Sequence, residues 1–460
     1  MTVKKFILPL PEDEPGSGTL DGLDAAAGTT SAHETSTIRR PRLVLAYLLA
    51  GFGLLALGMG LVPALATSFR AAFHLTGAQV ANVHNLKDIG LVVAMLAGPA
   101  LLRRLGASRA ILAAIGVGMV GCAVYGILPG YPAVLAGAFL HGAAFALGSL
   151  VIMTYLFQLP ARYRYIAATQ ATFGVASFVA PVLVAGLVQV PAGYGGVYGL
   201  YAGALLGLAV AGLLLRGDGD GAVARRTGGI GSPSVTAGQF RAWLPGAAVF
   251  ATIMAAETIV VSWITFLAQY GYGASLAAAS ALLATLWAVH APARAMGDVL
   301  ARRFSAPLIV FVGTLIAALG IGVACLGSMP AAYAGVLVFT LGIASLIPVH
   351  QGWMLNNSHA DLRGSLNSLL GVGAAGITTI LVWLTGLAVD INRRLPFAIA
   401  IVLLLVVAGW ALSAMSTAGG GTRPTRRSLD RDGWAGRGHA KERRVAPALT
   451  GEAFNPFPTR

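Results

Sequence analysis

The sequence predicts an all-α membrane protein of twelve transmembrane helices arranged as two six-helix bundles. Hydrophobic residues make up 57% of the chain and charged residues only 10%, and the mean hydropathy is +0.77. A soluble domain carries roughly a quarter charged residues. The second observation is that long apolar stretches follow one another along the chain, and the third is that almost all charged residues lie between them or in the tails. These features exclude a soluble globular protein.

Each apolar stretch is long enough to cross a hydrocarbon core of about 30 Å as a helix, which takes roughly 20 residues. The predicted spans cover approximately residues 43–67, 78–102, 110–128, 133–157, 166–189, 195–215, 243–269, 275–301, 306–327, 331–355, 365–388 and 396–415. About forty mostly polar residues precede the first stretch, so it does not have the form of a cleaved signal peptide.

Arginine residues are distributed unequally between the two sides of the predicted membrane. One set of alternate loops holds Arg103, Arg104, Arg109, Arg162, Arg164, Arg216, Arg225, Arg226, Arg241, Arg302, Arg303 and Arg363, whereas the other holds only Arg70, Arg393 and Arg394. Basic loops stay cytoplasmic. We therefore expect a multi-pass protein of the cell inner membrane with both termini cytoplasmic. The pair Arg393 and Arg394 is an exception that the rule does not explain.

Composition divides the chain into five segments. Residues 1–41 are predicted to be a disordered cytoplasmic tail, 42–215 and 243–416 the two six-helix bundles, 216–242 a cytoplasmic linker, and 417–460 a basic cytoplasmic tail. The net charge of +14 reflects these loops and tails. Contact with anionic membrane lipid explains the basic tail better than nucleic-acid binding does.

Only five charged residues fall inside the predicted spans, namely Lys87, Asp88, Glu257, Arg294 and Asp298. An ionisable side chain within a membrane span is costly, and it usually faces the protein interior or a water-filled path. These five residues therefore point to a protein that moves a polar solute. The two cysteines suggest neither a disulfide framework nor a metal site.

The two halves of the sequence also match each other at a fixed offset. Gly98, Arg103, Arg104, Arg164 and Gly174 recur 199 residues later as Gly297, Arg302, Arg303, Arg363 and Gly373. Parallel six-helix repeats predict two bundles related by an axis along the membrane normal.

Two of these repeated segments resemble a known loop motif. The segment GPALLRRLG, from Gly98 to Gly106, and the segment GDVLARRFS, from Gly297 to Ser305, are similar to the G-x-L-A-D-R-x-G-R loops of the Major Facilitator Superfamily. The resemblance implies a secondary transporter, symporter or antiporter, that works by alternating access. It also implies that these loops hold one conformation closed.

The gating residues implied by this resemblance are Gly98, Arg103, Arg104, Gly106, Gly297, Asp298, Arg302 and Arg303. Arg103 and Arg302 stand where the family usually has Asp, and Asp298 is the nearest substitute partner for the loop arginines. Drug exporters of the superfamily usually carry R-x-x-Q-G in span 4, where this chain has Ala138 and His141. This departure weakens the assignment as a drug exporter.

Span 2 carries His84, Asn85, Lys87 and Asp88. Neighbouring side chains on a helix point about 100° apart, so Lys87 and Asp88 are predicted not to pair with each other. Two interpretations remain open. In the first, each residue binds a neighbouring helix, with span 11 favoured, and fastens the outer gate. In the second, the two residues take part in transport directly.

Span 7 places Glu257 near its middle, close to the predicted midplane. The run ETIVVSWITFLAQY resembles span 7 of solute-importing members of the superfamily, so Glu257 is the predicted proton carrier.

Span 8 places Trp287, His290, Arg294 and Asp298 in one helical stripe. Arg294 requires an anion, which could be Asp298, Glu257 or the substrate. An arginine in a central cavity suits a carboxylate or a phosphate, but a structural Arg294–Asp298 pair remains open. The proposed substrate and coupling residues are therefore Glu257, Arg294, Lys87, Asp88 and His290.

Weaker candidates for lining a cavity are scattered over four spans. They are His84, Asn85, His141, Trp287, His350, Trp353 and Asn357. Interhelical hydrogen bonds explain such residues equally well.

The sequence therefore predicts proton-coupled transport of a small organic solute, with Arg294 favouring an anion. Proton-driven efflux of amphipathic compounds or drugs is the alternative. We expect a monomer whose partners are the solute, protons and membrane lipid, with no cofactor, no metal and no nucleic acid. The sequence contains no clustered catalytic groups that would suggest an enzyme. It also contains no P-loop that would suggest an ATP-driven pump. A receptor without transport activity is disfavoured by embedded charges of both signs.

Overall fold

The part of the chain that the structure describes is almost wholly helical. The structure, a computed structural model, describes residues 40–127, 130–156, 159, 166–187, 193–215, 236–358 and 363–419. Within these residues all regular structure is helical. The predicted amino-terminal tail, most of the carboxy-terminal tail, most of the linker and the loop residues Arg162 and Arg164 lie outside the described residues.

Thirteen helices form the twelve predicted spans, because the tenth span is broken into two. The helices are α1 (Pro41–Phe73), α2 (Gly77–Leu105), α3 (Ala107–Ile127), α4 (Tyr131–Leu156), α5 (Ile166–Leu187), α6 (Gly193–Leu214), α7 (Ala237–Phe266), α8 (Leu276–Arg303), α9 (Ala306–Ala324), α10 (Met329–Ile343), α11 (Leu346–Asn356), α12 (Arg363–Ile391) and α13 (Leu395–Gly419). A π-helical turn, Leu267–Gly271, continues α7.

Eleven helical stretches in the described chain are long and apolar enough to cross a membrane, counting α10 and α11 as one. The described apolar part of α5, Ala171–Leu187, is shorter. Large apolar side chains cover the outer surface; Leu96, Leu319 and Val406, for example, are each more than 60% exposed. Such a surface suits lipid rather than water, and the described helices support the predicted span count.

Polar residues fix where several helices begin. Thr76 and Gln79 form a reciprocal capping box at the start of α2, and Thr236 and Gln239 do the same for α7. Because of the second box, α7 starts at Ala237, so residues 237–242 of the predicted linker are helical.

The break in span 10 follows from Pro348. Proline lacks the N–H that would bond the carbonyl four residues earlier, and its ring clashes with that carbonyl. The residue four positions before Pro348 is Ala344, and the helix is interrupted at residues 344 and 345. The prediction of a span over residues 331–355 is therefore correct in its location, but the span consists of two helices instead of one.

Helix packing occurs both within each half of the chain and between the halves. In the first half α2 and α3 pack on α4, and α1 packs on α5. In the second half α9 packs on α10 and α13, and α7 on α12 and α13. Among the described helices, the pairs α5–α8, α2–α12, α1–α7 and α1–α8 join the two halves. These pairs include α2, α7 and α8, the helices that carry the embedded charges.

The helices α2 and α12 run antiparallel in a register that close contacts define. A Cβ built at Gly77 would lie 2.3 Å from Val389, one built at Gly386 would lie 2.5 Å from Ala81, and one built at Gly371 would lie 3.9 Å from Met95. These three contacts keep the same register along the helices. Asp88 is therefore brought level with Thr378 of α12.

The α5–α8 contact depends on Gly174, since a Cβ built there would lie 2.8 Å from the Cβ of Ala291. We expect Gly174→Leu to separate these helices, because overpacking a tight contact costs about 1–3 kcal/mol. The predicted result is a lower melting temperature in detergent and a reduced transport rate in proteoliposomes. Gly207→Leu is the matched control, because an added Cβ meets nothing within 4 Å there. Equal effects of the two variants would contradict the prediction.

Candidate transport site

A buried acid–base pair joins α7 and α8. The Nε2 atom of His290 lies 3.1 Å from Oε1 of Glu257, and the residues are 2% and 8% exposed. The second carboxylate oxygen, Glu257 Oε2, is buried without a hydrogen-bonding partner. A buried polar atom without a partner is costly. The pair therefore retains an unfilled capacity to bind a proton or a polar ligand.

Arg294 lies one helical turn beyond His290 on α8. Its guanidinium group attracts the Glu257 carboxylate electrostatically, but it forms no ion pair with any carboxylate whose side chain is described. The side chain of Asp298 lies outside the described residues, so the predicted Arg294–Asp298 pair stays a prediction. Arg294 is half-buried.

Aromatic rings continue from this pair into the first half of the chain. Trp287 packs edge-on against His290 at 5.0 Å between ring centroids and against Phe173 of α5 at 6.1 Å. Phe173 contacts Phe145 of α4, which contacts Phe52 of α1. Trp287, predicted as a cavity-lining residue, therefore belongs to an aromatic series that crosses between the halves.

The prediction that Lys87 and Asp88 do not pair with each other is wrong. Their Nζ and Oδ1 atoms are 3.0 Å apart, and the side chains are 11% and 12% exposed. Although adjacent positions point in different directions, the long flexible stem of lysine allows its ammonium group to reach around the helix. In a buried environment the attraction between opposite charges is strong enough to favour that bent conformation.

Two glycines hold the backbone around this ion pair against α4. A Cβ built at Gly142 would lie 1.8 Å from the carbonyl oxygen of Lys87, and one built at Gly90 would lie 2.1 Å from that of Phe139. The close approach leaves the neighbouring polar residues in a crowded interior. His84 Nε2 and Asn85 Oδ1 are buried without a hydrogen-bonding partner, and Thr378 Oγ1, level with Asp88 on α12, is also without one. Span 11 is thus a neighbour of this cluster, although among the described side chains no ion pair joins it to Lys87 or Asp88.

One ion pair among the described side chains joins the two halves, where α1 ends and α2 begins, at the end predicted to be periplasmic. Arg70 Nη1 lies 3.3 Å from Asp390 Oδ1 of α12, and Asp390 Oδ2 accepts a 2.7 Å hydrogen bond from the backbone N–H of Gly77. The guanidinium group of Arg70 also lies 4.5 Å from the ring centre of Phe266. We call Arg70–Asp390 the outer ion pair. It closes this end of the α2–α12 contact.

Sequence reasoning missed the outer ion pair. Asp390 lies just beyond the predicted span 365–388, where a carboxylate is usually solvated, so the sequence does not mark it as an embedded charge. The available signal was the rarity of Arg70, Arg393 and Arg394 on the predicted outer side, close to an acidic residue. The sequence separation of 320 residues between Arg70 and Asp390 gives no local indication that they meet.

We expect Asp390→Asn to loosen the outer end by a modest amount. The ion pair is 25% and 36% exposed, and exposed pairs contribute about 0.2–1 kcal/mol. Amide hydrogen exchange over residues 77–81 should therefore accelerate by roughly two- to five-fold. Arg70→Ala should have a similar effect, and the double variant should add little because both changes remove one interaction. Fully additive effects would show that the two residues act separately.

The remaining candidates of the sequence are engaged in packing. His141 is 1% exposed, its Nδ1 lies 2.8 Å from the Gly137 carbonyl oxygen, and its ring packs among tyrosines 125, 198 and 201. His350 Nε2 lies 2.9 Å from the Gly246 carbonyl oxygen, and its ring contacts Trp353. Asn357 bonds back to the Trp353 carbonyl. These contacts favour structural roles for the four candidates His141, His350, Trp353 and Asn357.

The two predicted gating loops differ in structure. Gly106 ends α2 with a φ of 75°, a left-handed conformation that favours glycine. In the second copy Ser305, with a φ of −69°, precedes α9 instead. Gly98 packs on Leu150 of α4, and Gly297 packs on Ser345. Arg103 and Arg104 end α2, and Arg302 and Arg303 end α8. Within the described side chains, none of the four forms an ion pair.

Solved structures with the same fold are transporters. A peptide transporter POT mutant in complex with sulfate matches with 17% identity and a TM-score of 0.65, over 80% of this chain and 94% of that one. A mutant of the nucleoside transporter NupG matches with 14% identity and a TM-score of 0.67, over 81% and 99% of the two chains. A POT family transporter with a bound thioalcohol-conjugated peptide matches with 11% identity and a TM-score of 0.68, over 82% and 96%.

A search of curated proteins found no significant match. The sequence model of one family does match, over residues 43–381, which is most of the chain. This match covers the two repeated loops and the helices that carry the embedded charges. Together with the helical fold and the transporter structures, it confirms the membership that the loops implied. The protein is a multi-pass membrane transporter of the Major Facilitator Superfamily.

Proposed function

We propose that this transporter couples the movement of protons to that of a small anionic organic solute. The observation that carries the proposal is the buried Glu257–His290 pair, whose carboxylate has one oxygen without a hydrogen-bonding partner. Intramembrane carboxylates commonly serve as proton relays. Glu257 is proposed as the proton carrier, and His290 as the residue that orients it and shares its proton.

The charge balance around Glu257 suggests how a proton and an anion are coupled. The ionised carboxylate attracts the guanidinium group of Arg294. When Glu257 takes up a proton, that attraction is lost, and a carboxylate or phosphate of the solute replaces it at Arg294. Because each state of the site keeps its positive and negative charges balanced, empty and half-loaded states are disfavoured.

Lys87 has a smaller place in this proposal than the sequence suggested. Asp88 neutralises its charge at 3.0 Å, so Lys87 is not an uncompensated cation. We propose that Lys87 and Asp88 set the geometry of α2 where it faces α12. Arg294 then carries the recognition of the anion.

Amphipathic efflux remains a second candidate because of one observation. An aromatic series starts at Trp287, whose ring contacts His290, and continues through Phe173 and Phe145 to Phe52 in the first half. Aromatic rings bind apolar and cationic compounds well. An exporter of such compounds would use the same protonatable carboxylate without needing Arg294.

The setting of the proposed activity is the inner membrane, with both termini on the cytoplasmic side. The count of loop arginines supports this orientation. Protons, the solute and membrane lipid are the proposed partners, and the working unit is proposed to be a monomer. The transporters of known structure share 11–17% identity with this chain, so their fold alone is informative.

The test is a proton-flux assay in proteoliposomes that contain an internal pH-sensitive dye. A thermal-shift screen of carboxylates, phosphorylated compounds, sugars and cationic drugs first identifies ligands, since a ligand of the folded state raises its stability. We then expect an anionic hit, but no neutral analogue of it, to acidify the lumen as it enters. Alkalinisation of the lumen by entering cationic amphipaths alone, which is the sign expected for proton antiport, would replace the proposal with drug efflux. Solute movement without protons would exclude coupling.

A further inference from the structure

A cavity opens at the outer end, beside the outer ion pair and beyond the level of Glu257. Its volume is about 430 Å³, within the range of about 300–1,000 Å³ that is typical of small-molecule sites. Residues of α1, α7 and its π-turn, and α12 with the turn that follows contribute to its wall. The charged and aromatic residues of the wall are Arg70, Phe266, Tyr272, Asp390, Arg393 and Arg394. We call this cavity the outer vestibule.

The outer vestibule has an excess of positive charge. Three arginines and one aspartate line it, so the formal charge of its wall is +2. Asp390 is committed to Arg70 and to the Gly77 amide. Within the described side chains, Arg393 and Arg394 have no acidic partner. A concave surface with one sign of charge concentrates ions of the opposite sign.

Contacts hold the side chains of Arg70 and Arg393 and the backbone of Arg394 in place before any ligand binds. Arg70 is held between Asp390 and the rings of Phe266 and Tyr270. Arg393 donates a hydrogen bond to the backbone carbonyl of Tyr270. The Asn392 side chain accepts a 2.9 Å hydrogen bond from the Arg394 backbone N–H, which fixes the turn between α12 and α13. A preorganised set of donors loses little freedom when it binds an anion.

Positive residues are disfavoured on the outer side of an inner-membrane protein. Adjacent arginines at this position are therefore expected to have a role outside topology. Guanidinium groups have the planar paired donors that match carboxylate and phosphate oxygens.

We propose that the outer vestibule binds a carboxylate- or phosphate-bearing compound at Arg393 and Arg394, on the outer side of the closed α2–α12 contact. The site is distinct from Glu257 and Arg294, and its occupancy does not depend on proton coupling. The anionic group can belong to a soluble compound or to a lipid headgroup, and the two sources are separable by experiment.

The experiment measures phenylglyoxal labelling of arginines by peptide mass spectrometry, on the full chain in phosphatidylcholine nanodiscs. Citrate and inorganic phosphate are the probes, and chloride at equal ionic strength is the reference, so that general screening is constant. At ten times its Kd a probe leaves about one site in eleven free, so labelling of Arg393 and Arg394 should slow roughly tenfold. Arg40 and Arg42, exposed at the opposite end of α1, are internal controls whose labelling should not change.

The outcomes separate the possible origins of any effect. Saturable protection confined to Arg393 and Arg394 supports the site. Labelling that is equal in probe and chloride, and equal in phosphatidylcholine and phosphatidylglycerol nanodiscs, overturns it, since the patch then only screens charge. Protection by phosphatidylglycerol nanodiscs alone, with no further effect of citrate or phosphate, assigns the anion to the lipid and overturns a site for soluble compounds.

A second measurement uses variants. Citrate should raise the melting temperature of the wild type and of Arg40→Gln with Arg42→Gln. It should not raise that of Arg393→Gln with Arg394→Gln. Equal stabilisation of both double variants would contradict the proposal, and the labelling result on the wild type stands even if one variant fails to fold. Neither measurement involves transport, so loss of the proposed proton coupling would leave this site untouched.

Discussion

Proteoliposomes that contain Glu257→Gln are expected to lose solute accumulation against a gradient while they continue to exchange solute across the membrane. Glutamine has nearly the shape of glutamate and keeps one acceptor oxygen, but it cannot ionise. The Glu257 side chain is buried beside His290 at 3.1 Å. The substitution should therefore preserve the fold and the solute site, and remove only the proton-dependent step.

The size of the effect follows from the free energy of a pH gradient. A difference of one pH unit stores about 1.4 kcal/mol per proton, which supports about a tenfold solute gradient when one proton accompanies one solute. The accumulation ratio of the variant should fall to about one under the same conditions. Counterflow of labelled solute at equal pH is the readout that should persist.

Glu257→Asp is the matched control, because it shortens the side chain but keeps an ionisable group. It should retain part of the accumulation. His290→Gln should shift the pH dependence of transport without abolishing coupling, since His290 touches the carboxylate but is not the proposed carrier. Unchanged accumulation in Glu257→Gln would move the proton site elsewhere, and Asp88 would then be the next candidate.

The helices were predictable from sequence because a membrane span needs only a long apolar run. Each predicted span overlaps a described helix, and the ends differ by a few residues where polar caps decide the start, as Thr236 does for α7. The break in span 10 was also predictable in principle. Pro348 is sufficient to account for the break, but the stretch is apolar throughout, so its hydropathy indicates one continuous span.

The pairing of charged residues was not predictable, because it depends on the packing of distant segments. Glu257 and His290 lie on neighbouring helices, and Arg70 and Asp390 lie at opposite ends of the chain. The error over Lys87 and Asp88 has a different cause. Helical geometry fixes the direction of the Cβ atoms but not the path of a flexible side chain in a crowded interior. Of the predicted stripe Trp287, His290, Arg294 and Asp298, the rings of Trp287 and His290 are in contact, so these two residues share a face of α8.

Arg294→Lys is expected to fold normally and to lose affinity for anionic solutes. Lysine keeps the positive charge, so the attraction to Glu257 survives. The planar pair of donors that fits a carboxylate is lost, however. A hydrogen bond to a charged group contributes about 1.5–3 kcal/mol, so affinity should fall by roughly ten- to a hundred-fold. Competition with labelled solute in proteoliposomes measures this loss, and neutral or cationic ligands should be unaffected.

A structural role for Arg294 gives the opposite pattern. If Arg294 mainly balances Asp298, Arg294→Ala should be unstable because a charge is left unpaired, and Arg294→Ala with Asp298→Ala should recover folding. Anion recognition predicts instead that the double variant, even when folded, cannot transport an anion, because its recognition group is absent. Recovery of both folding and anion transport in the double variant would exclude Arg294 as the recognition residue. Amphipathic efflux driven through Glu257 and the aromatic series would then be the better supported activity, because it alone has no need of a cation on α8.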